Sequence, residues 1–292
     1  MYEDFYNMGR KPFSSSPDPR FLYESRQHGR ALTLIQYGLL NQAGFVVITG
    51  EAGCGKTTLV RRLVGMMGDD FRVGLVSNTQ CESFDELLRW ILLGFELDYR
   101  GKEQVELFET LTSFLSGEHA QGRNPVLVID EAQQLTKNGL EQLRMVSNVN
   151  VDGEQLLQVL LVGQPGLWRQ LREPDMAQLA QRIGVDFHLE PLDTPEIGQY
   201  IRHRLAVAGG DSEMFHTDTF GLIAEATGGV PRLINVLCDA ALVYGYSDGV
   251  SRIGRSLMRE VLKDRAGGLI PFFRAGACKA ENERAAGAAE LG

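Results

Sequence analysis

Cysteine is scarce in this chain, and the four that occur, Cys54, Cys81, Cys238 and Cys278, are not spaced for metal binding or bridging. None forms a CxxC pair and none has histidine partners at zinc-ligand intervals, so neither a zinc site nor a disulfide framework is indicated. Long apolar runs are also missing. FVVITG, VLVID and LLQVLLVG are far shorter than the roughly 20 residues needed to cross a bilayer. The opening MYEDFYNMGRKPF lacks the basic start, apolar middle and small-residue cleavage site of a secretory signal, which points to a cytoplasmic protein. Basic charge is not in excess either: 29 Lys and Arg stand against 38 Asp and Glu, a net charge of -9. Sequence-independent attraction to nucleic acid over the whole surface is thereby opposed, and any contact with DNA must use a local patch. One such patch is SRIGRSLMREVLKDR, where Arg252, Arg255, Arg259 and Lys263 recur at helical spacing along the basic 252–265 face; a solvated helix face explains the same pattern.

What is present is enough apolar residue for a core: 43% of 292 residues, with 23% charged and no internal repeat, which excludes disordered, fibrous and solenoid classes. Short apolar runs alternate with helical segments through the first two thirds. FVVITG, a helix from Lys56, RVGLVSN, helices near 84–93 and 103–118, PVLVIDE, a helix near 138–147, LLQVLLVG and GVDFHLEPL follow one another. Strands that are continuously apolar rather than alternating indicate a parallel sheet with helices on both faces. After Leu192 the pattern becomes purely helical, each segment closed by glycine or opened by Ser, Thr or Pro. The expected organisation is an α/β domain over 1–192, a small α-helical domain over 193–266, and a disordered tail over 267–292 that is Ala- and Gly-rich with few large apolar side chains.

Between the first strand and the first helix lies GEAGCGKTT. Gly50, Gly53, Gly55, Lys56 and Thr57 satisfy GxxxxGK[ST] in the strand-to-helix setting that lifts the pattern above chance. Glycines let the backbone curl so that successive N–H groups, from Glu51, Ala52 and Cys54 through Thr58, face phosphate oxygens, and the helix adds its positive end. Lys56 is expected to reach the β- and γ-phosphates of ATP, and Thr57 to hold Mg2+. Cys54 occupies a position that the motif leaves open; a small filler and a redox thiol both fit it. In PVLVIDEAQQL, four apolar residues lead to Asp130 and Glu131 at the carboxyl end of a buried strand, the edge where ligands bind in open α/β sheets. Asp130 is expected to assist with Mg2+, and Glu131 to orient and deprotonate the attacking water.

A phosphate loop, a DE pair, a further strand and an arginine-bearing helical bundle together resemble the AAA+ ATPases. KPFSSSPDPRFLYESRQHGRAL, GFVVITGEAGCGKTTL, VLVIDEAQQL, LEQLRMVSN, LLQVLLVGQPGL, LAQRIGVDFHLEPL and GGVPRLINVLCDAAL are similar to the general secretion pathway protein A, or ExeA, group, from about residue 1 to 265. The resemblance implies a P-loop NTPase sheet flanked by helices, followed by a helical lid. It implies that Gln164, ending LLQVLLVG, is the sensor-1 residue, although relatives often carry Asn, Thr or Ser there. Arg182 matches the arginine presented to a neighbouring subunit's nucleotide, with Arg169 and Arg172 as nearby competitors, and Arg232 in GGVPR matches sensor 2. The segment before the loop packs against adenine in similar proteins, so Phe13, Phe21 and Leu22 are expected lining residues, for which core packing is an equal explanation.

The same resemblance implies a homo-oligomer whose ATP cycle serves secretion, pilus or exopolysaccharide export. Longer relatives continue into a membrane helix and a peptidoglycan-binding module. This sequence stops at Gly292 before either, so recruitment to the inner membrane is expected to pass through an envelope-assembly partner. A DNA-associated regulator of the transposition-helper or replication-initiator type, and a nucleotide-dependent scaffold without turnover, stay open beside it.

Overall fold

The computed structural model describes residues 1–14, 18–77, 81, 83–151 and 153–265. They divide into two compact units: an α/β unit, Arg26–Ala52 and Lys56–Glu190, and a helical unit formed by Met1–Ser25, Gly53–Gly55 and the chain from Pro191. The expected tail over 267–292, and Cys278 with it, lies outside the described residues.

The α/β unit is built on five parallel strands: β1 (Phe45–Gly50), β2 (Phe71–Ser77), β3 (Asn124–Asp130), β4 (Gln158–Gly163) and β5 (Ile183–Leu189), in the order β2-β3-β4-β1-β5. Side chains alternate across a strand, so each central strand feeds two cores. Phe45 and Val47, Leu127 and Ile129, and Val159 and Leu161 enter one, which is completed by Leu87, Leu88, Ile91, Leu107, Leu111 and Leu140 from the helices Phe84–Gly94, Gln104–Ala120 and Lys137–Val146. Val46 and Ile48, Val126 and Val128, and Leu160 and Val162 enter the other, beneath Arg26–Leu40 and Lys56–Met66. Every residue of β1 and β4 is buried, which explains why these strands read as unbroken apolar runs. Each such aliphatic side chain contributes about 1.5–3 kcal/mol of burial.

Local signals fix the helix starts. Ser83 Oγ accepts the Glu86 N–H at 3.2 Å and Thr136 Oγ1 accepts the Gly139 N–H at 3.1 Å, each satisfying an otherwise orphaned donor. Two features were not foreseen: the long helix Arg26–Leu40, and a two-stranded antiparallel ladder pairing Asn150 with Gln155. Among the described residues no helix is long and apolar enough to cross a membrane.

The helical unit contains Thr194–Ala208, Phe220–Thr227, Pro231–Ser247 and Arg255–Arg265. Asp193 and Glu196 form a reciprocal capping box at the first, and Gly209, at φ 86°, ends it in the left-handed region that glycine tolerates. Residues 1–25, expected from sequence within an α/β domain over 1–192, cluster with the helices, because Tyr2, Tyr6, Met8, Phe13 and Phe21 bury their rings and thioether in the helical core. Tyr6 Oη also donates to the Val250 carbonyl at 3.0 Å.

Candidate functional site

Strand order decides which loops meet. With β4 lying between β3 and β1, the carboxyl ends of these three strands put Asp130, Gln164 and Gly50 side by side along one edge of the sheet. Gly50 itself has an ordinary backbone; its need for glycine comes from β5, since a Cβ there would lie 2.5 Å from the Leu189 carbonyl oxygen. Gly53 and Gly55 are different. Their φ values of 89° and 97° are ones that side-chain-bearing residues rarely adopt, and they give the loop its reversal before the helix opens at Lys56.

Lys56 is buried, and its ammonium donates to the carbonyls of Gly50 at 2.8 Å and Glu51 at 2.9 Å. The charge is thus folded back over the loop that it follows. One turn of chemistry away, Thr57 Oγ1 donates to Asp130 Oδ2 at 2.7 Å, joining the start of the Lys56–Met66 helix to the end of β3. Asp130 is itself buried, with Oδ1 accepting the Glu131 main-chain N–H at 2.9 Å. Glu51 and Ala52 are exposed, and Thr57 and Thr58 are half-buried.

Glu131 has φ 55°, an uncommon left-handed conformation for a residue with a side chain, placed where the chain leaves β3. Its Oε2 accepts from Gln133 Nε2 at 2.6 Å and from Gln164 Nε2 at 3.3 Å. Gln133 Oε1 in turn accepts the Gln164 main-chain N–H at 2.8 Å. The sequence reading named Glu131 and Gln164 but not Gln133. The only available signal was a long amide two residues beyond the carboxylate, which spacing alone does not distinguish from a surface residue.

Among the described residues no group of three or more His, Cys, Asp or Glu is placed to hold a metal ion. The donor set at the sheet edge is instead one hydroxyl, Thr57, and one carboxylate, Asp130. That set fits magnesium, which uses one or two protein oxygens and takes its remaining ligands from phosphate and water.

Arg182 is apart from this edge. It precedes Ile183, which pairs with Phe45 at the amino end of β1, and its half-buried guanidinium donates to Ser147 Oγ at 3.3 Å. Arg172 stacks over Trp168 at 4.4 Å. In the helical unit, Arg232 is exposed at the start of Pro231–Ser247, and its main-chain N–H donates at 3.3 Å to the carbonyl of Gly53, which belongs to the same unit. Phe13 is 2% exposed and packs edge-on against Phe215 at 5.9 Å, while Phe21 is buried and Leu22 half-buried. Cys54, Cys81 and Cys238 are buried thiols outside any disulfide. Arg252, Arg255, Arg259 and Lys263 are exposed, interspersed with exposed Glu260 and Asp264.

The profile of the AAA domain family matches residues 40–171, which span the loop, the DE pair and the Gln164 strand. General secretion pathway protein A of Aeromonas hydrophila is 40% identical over 254 residues, 87% of this chain and 46% of that protein. The chain therefore spans about half the length of this curated relative. Among solved structures, the Aeropyrum pernix ORC2 protein in its ADPNP–ADP complexes aligns with a TM-score of 0.66 at 19% identity, over 87% of this chain and 71% of that one. Cdc6p of Pyrobaculum aerophilum gives 0.65 at 18%, over 87% and 70%, and the Thermotoga maritima RuvB branch migration motor 0.57 at 16%, over 87% and 73%. At such identities these three establish the fold alone. From the sheet order, the loop and carboxylate pair at its edge, and the AAA domain match over residues 40–171, the chain has the AAA+ P-loop fold, and over 87% of its length it is similar to general secretion pathway protein A.

Proposed function

We propose that the chain binds and hydrolyses ATP with Mg2+, and that it works as a homo-oligomeric switch in the assembly or operation of a cell-envelope secretion, pilus or exopolysaccharide export system. The observation that carries the reading is the convergence of Lys56, Thr57, Asp130 and Glu131 on one sheet edge, joined by the Thr57–Asp130 hydrogen bond of 2.7 Å. Loop N–H groups from Gly53 to Thr58 and the Lys56 ammonium hold the phosphates. Thr57 and Asp130 hold magnesium, which when bound neutralises phosphate charge. Glu131 accepts the proton of a water whose oxygen attacks the γ-phosphorus, and the bond to the β–γ bridging oxygen breaks to leave ADP and phosphate. Gln164 steadies the carboxylate.

Arg182 acts on the nucleotide of an adjoining copy. It stands at the amino edge of the sheet and Gly50 at the carboxyl edge, separated by the six residues of β1, about 17–20 Å at 3.3 Å per residue. A side chain cannot span that gap to its own phosphate loop, so any role in hydrolysis is in trans. Support for the secretion role is the name borne by the Aeromonas hydrophila relative; in this reading the protein works in the cytoplasm and is recruited to the inner membrane through a partner.

The deciding measurement is phosphate release with Mg2+, with EDTA, and for Glu131→Gln. Turnover that needs Mg2+ and is lost in the variant supports the reading; equal rates in wild type and variant remove Glu131 as the base. A second reading, a DNA-associated regulator, draws on the exposed Arg252, Arg255, Arg259 and Lys263. Arg252 lies 3.8 Å from Asp211, and Glu260 and Asp264 dilute the same surface, which weighs against it. Tight duplex binding that weakens steeply with salt would reverse that preference.

A further inference from the structure

The side chain of Gln133 is tied at both ends. Its oxygen accepts the Gln164 main-chain N–H at 2.8 Å and its nitrogen donates to Glu131 Oε2 at 2.6 Å. These two contacts fix the amide's orientation, because a flipped group would set oxygen against carboxylate and N–H against N–H. Room for it is provided by Gly163: a Cβ there would lie 2.9 Å from Gln133 Oε1 and 3.2 Å from the Gln133 nitrogen. Glu131 leaves β3 at φ 55°, a left-handed conformation uncommon for a residue with a side chain. Two amides converge on its Oε2, which leaves Oε1 to take a proton from water.

We infer that Gln133 is a positioning residue, a bridge that anchors the Glu131 carboxylate to the end of β4 so that it faces the attacking water. The inference rests on Glu131 being the general base. In this role Gln133 acts through Glu131. It follows that Gln133 matters for turnover and not for nucleotide affinity, and that it matters only while Glu131 is present.

A double-mutant cycle tests this on the full chain, with Gln133→Met as the variant that keeps length and loses both hydrogen bonds. ATP turnover is followed by release of radiolabelled phosphate, and affinity by calorimetry with a non-hydrolysable ATP analogue. In the wild-type background Gln133→Met is expected to lower kcat about 10-fold or more, part of what a misplaced general base forfeits. Analogue affinity is expected to stay within about twofold, and in the Glu131→Gln background the residual rate is expected to change by less than about twofold. Gly163→Ala, which crowds Gln133 from the strand side, is expected to reproduce the pattern and serves if Gln133→Met is poorly folded. An equal proportional loss in both backgrounds, or no loss with Glu131→Gln inactive, overturns the role of Gln133 and leaves the base in place. Wild-type turnover in Glu131→Gln would instead overturn the base assignment, and Gln133 with it.

Discussion

Arg204 offers a demanding test of how the first 25 residues are held. It is 7% exposed, and its partners among the described residues are neutral: Nε donates to the Pro12 carbonyl at 2.6 Å, Nη1 to Tyr200 Oη at 2.8 Å and Nη2 to the Ser14 carbonyl at 3.3 Å. Its guanidinium also lies 4.9 Å from the Phe21 ring centre, and Tyr200 passes the chain of bonds on to Asn235 at 2.7 Å. Replacing it by methionine keeps most of the volume and removes every donor. Hydrogen bonds to a charged group are each worth about 1.5–3 kcal/mol, so the three together represent roughly 4.5–9 kcal/mol of gross interaction. Releasing the buried charge returns several kcal/mol of desolvation, which leaves a net destabilisation of about 3 kcal/mol. At about 2–4 °C per kcal/mol for a domain of this size, the melting temperature of Arg204→Met falls by about 6–12 °C. Urea unfolding followed by far-UV circular dichroism measures the loss. Fluorescence of Trp90 and Trp168, both in the α/β unit, shows whether that unit unfolds in the same transition. A variant within about 0.5 kcal/mol of wild type would refute the reasoning, since only an exposed or redundant arginine behaves so.

Lys56→Ala is expected to weaken ATP binding about 10- to 100-fold, the worth of one charge-assisted contact, as read by calorimetry. Arg182→Ala is expected to bind ATP normally and to lose the rise of specific activity with protein concentration; if that rise persists, another arginine acts in trans. His203 has its pKa lowered, chiefly by burial, so folding favours the neutral imidazole over the charged one. The unfolded chain, at about pKa 6.5, binds the extra proton first. Stability present above about pH 6.5 is therefore lost as pH falls below it. His203→Gln is expected to reduce the drop in melting temperature between about pH 7 and pH 5.5, and an unchanged pH slope would count against a lowered His203 pKa.

Much of the sheet was legible because its central strands are buried on both sides. FVVI and VLVI contain no polar interruption to confuse with a solvent-facing strand, and the loop between strand and helix carries its glycines at fixed intervals. The helix Arg26–Leu40 was missed because QHGRALTLIQYGLL mixes two glycines and exposed apolar residues into its periodicity, Tyr37 and Leu40 being 62% and 72% exposed. The attachment of residues 1–25 was not legible for a different reason. Aromatic residues announce that something will be buried, not against which core.

By itself the sequence determined the phosphate loop, the carboxylate pair and the class of fold, since each depends on neighbours within about a dozen residues, where spacing and chain stereochemistry leave little choice. Tertiary structure alone decided that Asp130 meets Thr57, that Gln133 joins Glu131 to the end of β4, and that Arg182 stands at the far edge from its own loop. Those relations rest on strand order and register. They are set by how whole elements pack, a property that no short stretch of residues records.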